Sequence, residues 1–277
     1  MILMHVALIT CTSDEASMNI RKALLNLYKW EQKGDVFTRK AGNHTVDLYL
    51  FDKLSIYLEH IDDEIDCDIV VFCTKHQAKS GIPSLSVHSP GNFSDPGYGG
   101  EKHVLSPCPT ELLYHCYHAL FELQKESGLP HEVVYEATHH GPATKKPTMF
   151  IEIGSELKFW QEPTAGDIIA KAVFAGIDKL ETSKLPSIIG IGGLHTCPSF
   201  NKISQRKQAM PGHICPGYML ENLTPELLIQ MIEKTAPRPS AIVLDWKGLG
   251  PHKQHIRDII EKSKTNIEIK RTKEYSN

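Results

Sequence analysis

The chain has 277 residues, 41% of them hydrophobic and 23% charged, with a formal net charge of −3. That is ordinary globular usage with ample material for a core, and the absence of any run of about 18 apolar residues excludes a spanning helix. A chain with a pI near 6.6 lacks the general basicity of a protein that grips nucleic acid over a long footprint, so an RNA partner would need a local basic surface.

Residues 1–9 lack a basic leader and read as the start of a first strand, not a signal peptide, with the strand proper at 5–10. A helix is predicted over 14–30, where Ala16, Ile20, Ala23, Leu24 and Leu27 recur at helical spacing after a Thr-Ser capping start. Strands are predicted at 46–51, 54–58 and 68–73, and a helix at 109–123. Strands at 133–138 and 148–153 follow, then a helix at 164–180 and a strand at 187–191. Thr224-Pro225-Glu226 opens a helix, with Thr as N-cap and Pro at the first position. A strand at 241–245, a helix at 253–262 and a strand at 266–270 close the chain. This alternation predicts a single α/β domain over 1–277, three-layered α/β/α with a mixed, mostly parallel sheet. A loop-rich insertion at about 75–109, full of Gly, Pro, Ser and His, interrupts it. The seven cysteines are dispersed and form no CxxC, which points to a reducing cytoplasm.

Thr138-His139-His140-Gly141-Pro142 carries the most chemical information. Two imidazoles sit where a strand gives way to a Gly-Pro turn, and His serves both as metal ligand and as general base. Other histidines of the 15 lie beside backbone-permissive residues near predicted strand ends: His76, His88, His103, His195 and His213. Open α/β sheets place ligands at such ends.

Several blocks follow one another along the chain. They are Lys75-His76-Gln77, His88-Ser89-Pro90-Gly91-Asn92, Tyr98-Gly99-Gly100 and Thr138 to Pro142, then Phe150-Ile151-Glu152-Ile153-Gly154-Ser155 and Trp160. Gly190 to Pro198, Gly212-His213-Ile214-Cys215-Pro216-Gly217-Tyr218 and Asp245-Trp246-Lys247-Gly248 complete the set. In this order they resemble the archaeal and plant type of D-aminoacyl-tRNA deacylase over nearly the whole chain. The chain departs from that pattern at Lys75 and Gln77 (Arg and Ser in the family), at Ala143 (Thr) and at Thr196-Cys197 (Tyr-Ala). The resemblance implies hydrolysis of the ester between a D-amino acid and the tRNA 3′ end, with zinc as cofactor, in a cytoplasmic monomer free of membranes. On it, the catalytic candidates are His139, His140, Glu136 and Glu152. The substrate-binding candidates are His88, Gly192, Gly193, His195, His213, Lys145 and Lys146. The candidate metal ligands are His139, His140, His195 and His213.

The residues themselves leave three readings open. Zinc takes His and carboxylate ligands and keeps a position for water, but no HExxH is present, so zinc comes from the resemblance. Metal-free acyl transfer would use His139 or His140 on water, with Gly192-Gly193 or Gly99-Gly100 amides at the oxyanion; tight turns explain the same glycines. A non-catalytic tRNA or nucleotide binder would need basic residues beside the glycine loops. Peptidyl-tRNA hydrolase-like esterase activity is the nearest alternative chemistry. Gly190-Ile191-Gly192-Gly193 falls short of a dinucleotide fingerprint. Lys145-Lys146 and the cluster Lys202, Arg206 and Lys207 are candidate phosphate contacts or solvated faces. His195 and His213 each open a His-x-Cys-Pro, so Cys197 and Cys215 are either thiolate ligands or small apolar fillers. The filler reading is preferred, because the resemblance assigns both histidines to the active site.

Overall fold

The structure, a computed structural model, describes residues 3–275. The first two residues of the predicted leading segment lie outside it. In chain order the elements are β1 (His5–Cys11), α1 (Glu15–Leu27), β2 (Glu31–Lys33), β3 (Val36–Ala41), β4 (His44–Phe51), β5 (Ile69–Gln77), β6 (Ser84–His88), β7 (Cys108–Pro109), α2 (Thr110–Ser127), β8 (Glu132–Tyr135) and β9 (Thr148–Ser155). Then come α3 (Leu157–Trp160), α4 (Pro163–Ile177), β10 (Ser187–Ile191), α5 (Pro198–Gln205), β11 (Met210–Cys215), α6 (Pro225–Glu233), β12 (Thr235–Ala236), β13 (Ala241–Leu244), α7 (Lys253–Ser263) and β14 (Glu268–Arg271).

The α/β architecture holds, but the strands divide between two principal sheets. A mixed eight-stranded sheet runs β2-β3-β4-β1-β5-β9-β6-β8, and a four-stranded sheet runs β11-β10-β13-β14. All pairings of the smaller sheet are parallel. In the larger one β1, β4, β5 and β9 are parallel neighbours, while β6 runs antiparallel to β9.

Alternation along the central strands sorts their side chains between two faces. Val71 and Cys73 of β5, Leu85 and Val87 of β6, and Met149, Ile151 and Ile153 of β9 join α1, α2 and α4 in the main core. The opposite face receives Val70, Phe72 and Phe150, packed on Leu58, Ile61 and Cys67. Further along the same face stand Thr74, His76, Ser86, His88 and Glu152. Polar residues therefore alternate with apolar ones on strands that are buried from end to end.

Several sequence expectations need correction. Residues 54–58 form a short 3-10 turn at Ser55–Tyr57, not a strand. Local bonds from Tyr57 N–H to Leu54 O and from Leu58 N–H to Ser55 O close it, and Leu58 meets the core through that turn. The insertion at 75–109 contains β6, whose Ser-Leu-Ser-Val-His alternation is masked by flanking Gly and Pro. Strand β11 includes Pro211 and Gly212, and its register with β10 shifts between Ile188 and Gly190, so it reads as a loop. The hairpin of β2 and β3 has no apolar signature in the sequence, because its strands are mostly polar and partly exposed. Helix α1 is capped by Asp14, not by Thr-Ser: its carboxylate accepts from Ser17 N–H at 2.9 Å. The other Asp14 oxygen accepts from Lys75 N–H at 3.1 Å, which ties the start of α1 to the end of β5.

Asp14→Ala should therefore cost more than an exposed N-cap. We expect about 2 kcal/mol, the upper end for a lost cap, read as a lower urea midpoint, with Asp14→Asn retaining most of the stability.

Candidate active site

The functional face is built where strands from both sheets end. β5 delivers Thr74 and His76, β6 His88 and β9 Glu152, the last opposite both Thr74 and Ser86 in register. Glu136 and the two adjacent histidines follow β8. The segment 136–140 is held between the sheets: Ala137 N–H donates to His195 O at 2.8 Å and Thr138 N–H to Ile214 O at 2.9 Å. His139 pairs with Pro90 as an isolated bridge. His195 stands on the loop after β10, and Tyr218, just beyond β11, contacts its Nδ1 at 3.0 Å.

Two carboxylates are buried in this face, Glu136 at 3% and Glu152 at 2% exposure. Glu136 Oε2 lies 3.0 Å from His195 Nε2, 3.2 Å from His76 Nδ1 and 3.7 Å from His139 Nε2. Burial works to raise the Glu136 pKa, but His76 and His195 hold it well below the usual carboxylate range. Burial likewise pulls His76 down, and Glu136 with Glu152 reverses this, raising it to about 9. Glu152 Oε1 accepts from the Thr74 hydroxyl at 2.9 Å. Its Oε2 lies 3.4 Å from His88 Nε2, and neither atom has a hydrogen-bond partner.

His139 and His140 are held differently. His139 Nδ1–H donates to Ala137 O at 2.8 Å and His140 Nδ1–H to Gly141 O at 2.6 Å. Burial, reinforced by neighbouring imidazoles, keeps His139 well below the ordinary imidazole value and His140 at about 4. Both rings are then neutral, with the proton assigned to Nδ1 by its carbonyl partner and the Nε2 lone pair free. The rings of His88, His139 and His140 lie 4.2–4.9 Å apart, centroid to centroid. One ligand atom from each falls within 4.8 Å of the others, as happens also for His76, Glu136, His139 and His195, and for His88, Glu136 and Glu152.

Residues 63–268 match the family model described as D-aminoacyl-tRNA deacylase, and every residue of this cluster lies inside the match. The chain belongs to the D-aminoacyl-tRNA deacylase family. The D-aminoacyl-tRNA deacylase of Thermococcus onnurineus (strain NA1) is 34% identical over 254 residues, covering 87% of this chain and 90% of the relative. That of Picrophilus torridus is also 34% identical, over 243 residues and the same shares of each chain. A crystal structure described as the conserved protein of unknown function AF0625 superposes with a TM-score of 0.86 at 25% identity, covering 99% of this chain and 96% of that one.

Within this family frame, the structure brings together Glu136, His139, His140, Glu152, His88 and His195. It separates His213 from them. That ring is fully buried, donating from Nε2 to Ser106 O at 2.9 Å and accepting at Nδ1 from the Thr138 hydroxyl at 2.9 Å. Burial pushes it down to about 3, so it is a neutral strut under the Thr138 segment. With both nitrogens engaged it has no lone pair for metal or substrate, contrary to the sequence expectation. Cys197 and Cys215 are buried, their thiols face the backbone oxygens of His195 and Pro216, and burial raises both. Among the described residues neither joins a cluster of ligand atoms, in keeping with the filler reading.

The glycine pairs serve as turns. Gly192 N–H donates to Cys215 O, and Gly100 N–H to the Glu59 carboxylate. A Cβ on Gly99 would fall 1.6 Å from Ile56 O, and one on Gly141 2.1 Å from Gly100 N, so the Tyr98-Gly99-Gly100 turn is shaped to back the His-His loop. Lys145 and Lys146 are exposed beside Asp62 and Asp63; the Lys145 ammonium pairs with Asp63. His76 and Tyr218 stand in the sequence blocks without a predicted role, and the structure adds them to the cluster together with Thr74. Besides those blocks, the alternation of Phe72, Thr74 and His76 along one strand is the signal that places Thr74 and His76 on one face.

His213→Ala would strip the Ser106 carbonyl and the Thr138 hydroxyl of a buried partner and leave a cavity. We expect a loss of about 2–4 kcal/mol, measured by urea unfolding. An unchanged midpoint would remove His213 from its supporting role.

Proposed function

We propose that this chain hydrolyses the ester joining a D-amino acid to the 3′ end of tRNA, at the face that carries Glu136, Glu152, His88, His139 and His140. The observation that carries the reading is the convergence of unprotonated imidazole nitrogens and two buried carboxylates on one sheet edge, in a chain of the D-aminoacyl-tRNA deacylase family. The curated relatives bear that activity in their names. Among the described residues no helix is long and apolar enough to cross a membrane, and seven free, buried thiols suit the reducing cytoplasm in which we place the reaction.

The donor set fits zinc. Three imidazoles crowd together, two of them neutral by burial, with the Nε2 of His88 lacking any hydrogen bond. Facing lone pairs in a buried site repel one another unless a cation lies between them. His88, His139 and His140 would hold the ion through Nε2, the three-ligand arrangement that leaves a fourth position open. Bound there, zinc would polarise the ester carbonyl and bring the pKa of a coordinated water to near 7.

The remaining groups divide the proton work. Glu152 is held by Thr74 through Oε1 and presents Oε2 beside His88, in place to accept the proton of the attacking water. His76 is kept cationic by Glu136 and faces the same space, in place to stabilise the oxyanion and to protonate the departing ribose oxygen. Glu136 anchors His76 and His195 and prevents either ring from turning away.

Glu152→Gln should lower kcat by about 10²–10⁴, the usual contribution of a positioned base, with zinc content retained. His88→Ala and His140→Ala should lose both zinc and activity, followed by elemental analysis and single-turnover deacylation. Matched D- and L-aminoacyl-tRNA, assayed with and without chelator, test the reading as a whole. Equal rates on both enantiomers would overturn the substrate assignment, and full activity after zinc removal would overturn the metal.

A further inference from the structure

The four strands of the parallel sheet end along one edge. In the order β11, β10, β13, β14 this edge carries Tyr218, His195 and Trp246 on the loops that follow the first three strands, and Arg271 as the last residue of β14. Neighbouring strands lie about 4.8 Å apart, so Trp246 is one strand from His195 and Arg271 two. The loops touch: a Cβ on Gly248 would fall 2.4 Å from the Gly193 backbone nitrogen, and the Ser199 hydroxyl donates to Asp245 at 2.8 Å. The carboxyl edge of a parallel sheet is where α/β proteins take their ligands.

Trp246 packs partly on the core formed by α6 and α7. Around the rest of its ring stand three cations: the Arg271 guanidinium at 4.0 Å from the centroid, Arg257 at 5.1 Å and the Lys253 ammonium at 5.6 Å. The indole quadrupole favours such company without consuming N–H donors; the Lys253 ammonium also donates to Gly250 O at 3.2 Å. Among the described residues, the ion pairs made by Lys or Arg involve Lys33, Lys75, Lys102, Lys145, Lys158 and Lys270, and none of these three. A groove of ≈ 470 Å³ opens between Trp246, Arg257, Ile269 and Arg271. Glu261 and Glu274 share its rim, and Glu274 accepts from Arg271 N–H at 2.7 Å. Across the segment 268–275 a second groove of ≈ 280 Å³ is lined by Lys202, Arg206 and Lys273.

Unpaired cations on an aromatic post, continuous with the loops that hold His195 and Tyr218, suit a polyanion whose reacting end enters the histidine face. We propose that the Trp246 surface binds the phosphate backbone of the substrate RNA next to its 3′ end, with Arg257, Arg271 and Lys253 as phosphate contacts and Trp246 as the residue that positions them. This rests on the D-aminoacyl-tRNA reading above. It places the RNA on this edge and not on Lys145-Lys146, where Asp62 and Asp63 offset the charge.

The test compares a full substrate with one that lacks the RNA body. In the Arg257→Gln/Arg271→Gln double variant, KM for D-aminoacyl-tRNA should rise about tenfold with kcat unchanged. The slope of log affinity against log salt should flatten by about 1.4, roughly 0.7 for each single-strand phosphate contact removed. Hydrolysis of a 3′-O-(D-aminoacyl)adenosine should keep its wild-type kcat and KM. Trp246→Leu should resemble the double variant, and Trp246→Phe, which keeps an aromatic face, should recover most of the affinity. Lys145→Gln/Lys146→Gln should leave both KM and salt slope at wild-type values. An unchanged KM and salt slope in the double variant would overturn the proposal. So would a parallel loss on the adenosine ester, since the change would then act through the fold. Failure of the activity reading looks different: the wild-type protein would hydrolyse neither substrate. Binding of uncharged tRNA, followed by Trp246 fluorescence with Trp246→Phe as reference, would still decide the surface. Salt-sensitive quenching that is lost in Trp246→Phe supports it, and no quenching overturns it.

Discussion

Two carboxylates taken out of water are the constraint on which this molecule turns. An isolated buried carboxylate is strongly unfavourable unless charge or hydrogen bonds compensate it. Glu136 is compensated by His76 from β5 and His195 from the loop after β10, and Glu152 by Thr74 and His76 from β5, while His88 from β6 and His139 from the loop after β8 bring their rings against the same carboxylates. Removing any one partner leaves a buried charge short of its match. The cluster therefore requires the strand pairing to be correct at every one of these positions.

That requirement explains why the two sheets meet where they do. The segment after β8 has its backbone bonded to the loop after β10 and to β11, while Glu136 N–H still bonds to Val87 O of β6. His213 fixes this junction from beneath, through Thr138 and Ser106. A histidine that shares a Gly-rich motif with catalytic candidates thus serves as a strut, because both of its nitrogens are already bonded. The neutral state of His139 and His140 has a related origin: burial sets it, and two backbone carbonyls decide which nitrogen keeps the proton.

Much of this was legible in the chain. The helices at α1, α2, α4, α6 and α7 follow from apolar spacing and capping residues. The strands β1, β5, β9, β10 and β13 follow from short β-branched runs. The His-His-Gly-Pro block marked the site, because few structural duties need two adjacent imidazoles before a turn. Strands that break the pattern were not legible. β6 carries Ser, Ser and His on the face that receives the site, and β11 passes through Pro211 and Gly212, so neither has the composition of a buried strand.

The sequence by itself determined the α/β class, the family and the identity of the groups with metal-binding or proton-transfer chemistry, since these depend on residue type and local spacing. Only the tertiary structure decided which of those groups act together. His76 joins Glu136 and Glu152 because β5 pairs with β9 in one register; a shift of one residue would turn it to the helical core. His213 leaves the set because the chain brings Ser106, 107 residues distant, within 2.9 Å of its Nε2. Trp246 and Arg271 share one edge with His195 because three parallel strands end there together. Side-chain chemistry is written in the order of the residues, whereas its convergence depends on contacts between residues far apart in the chain, which no local pattern encodes.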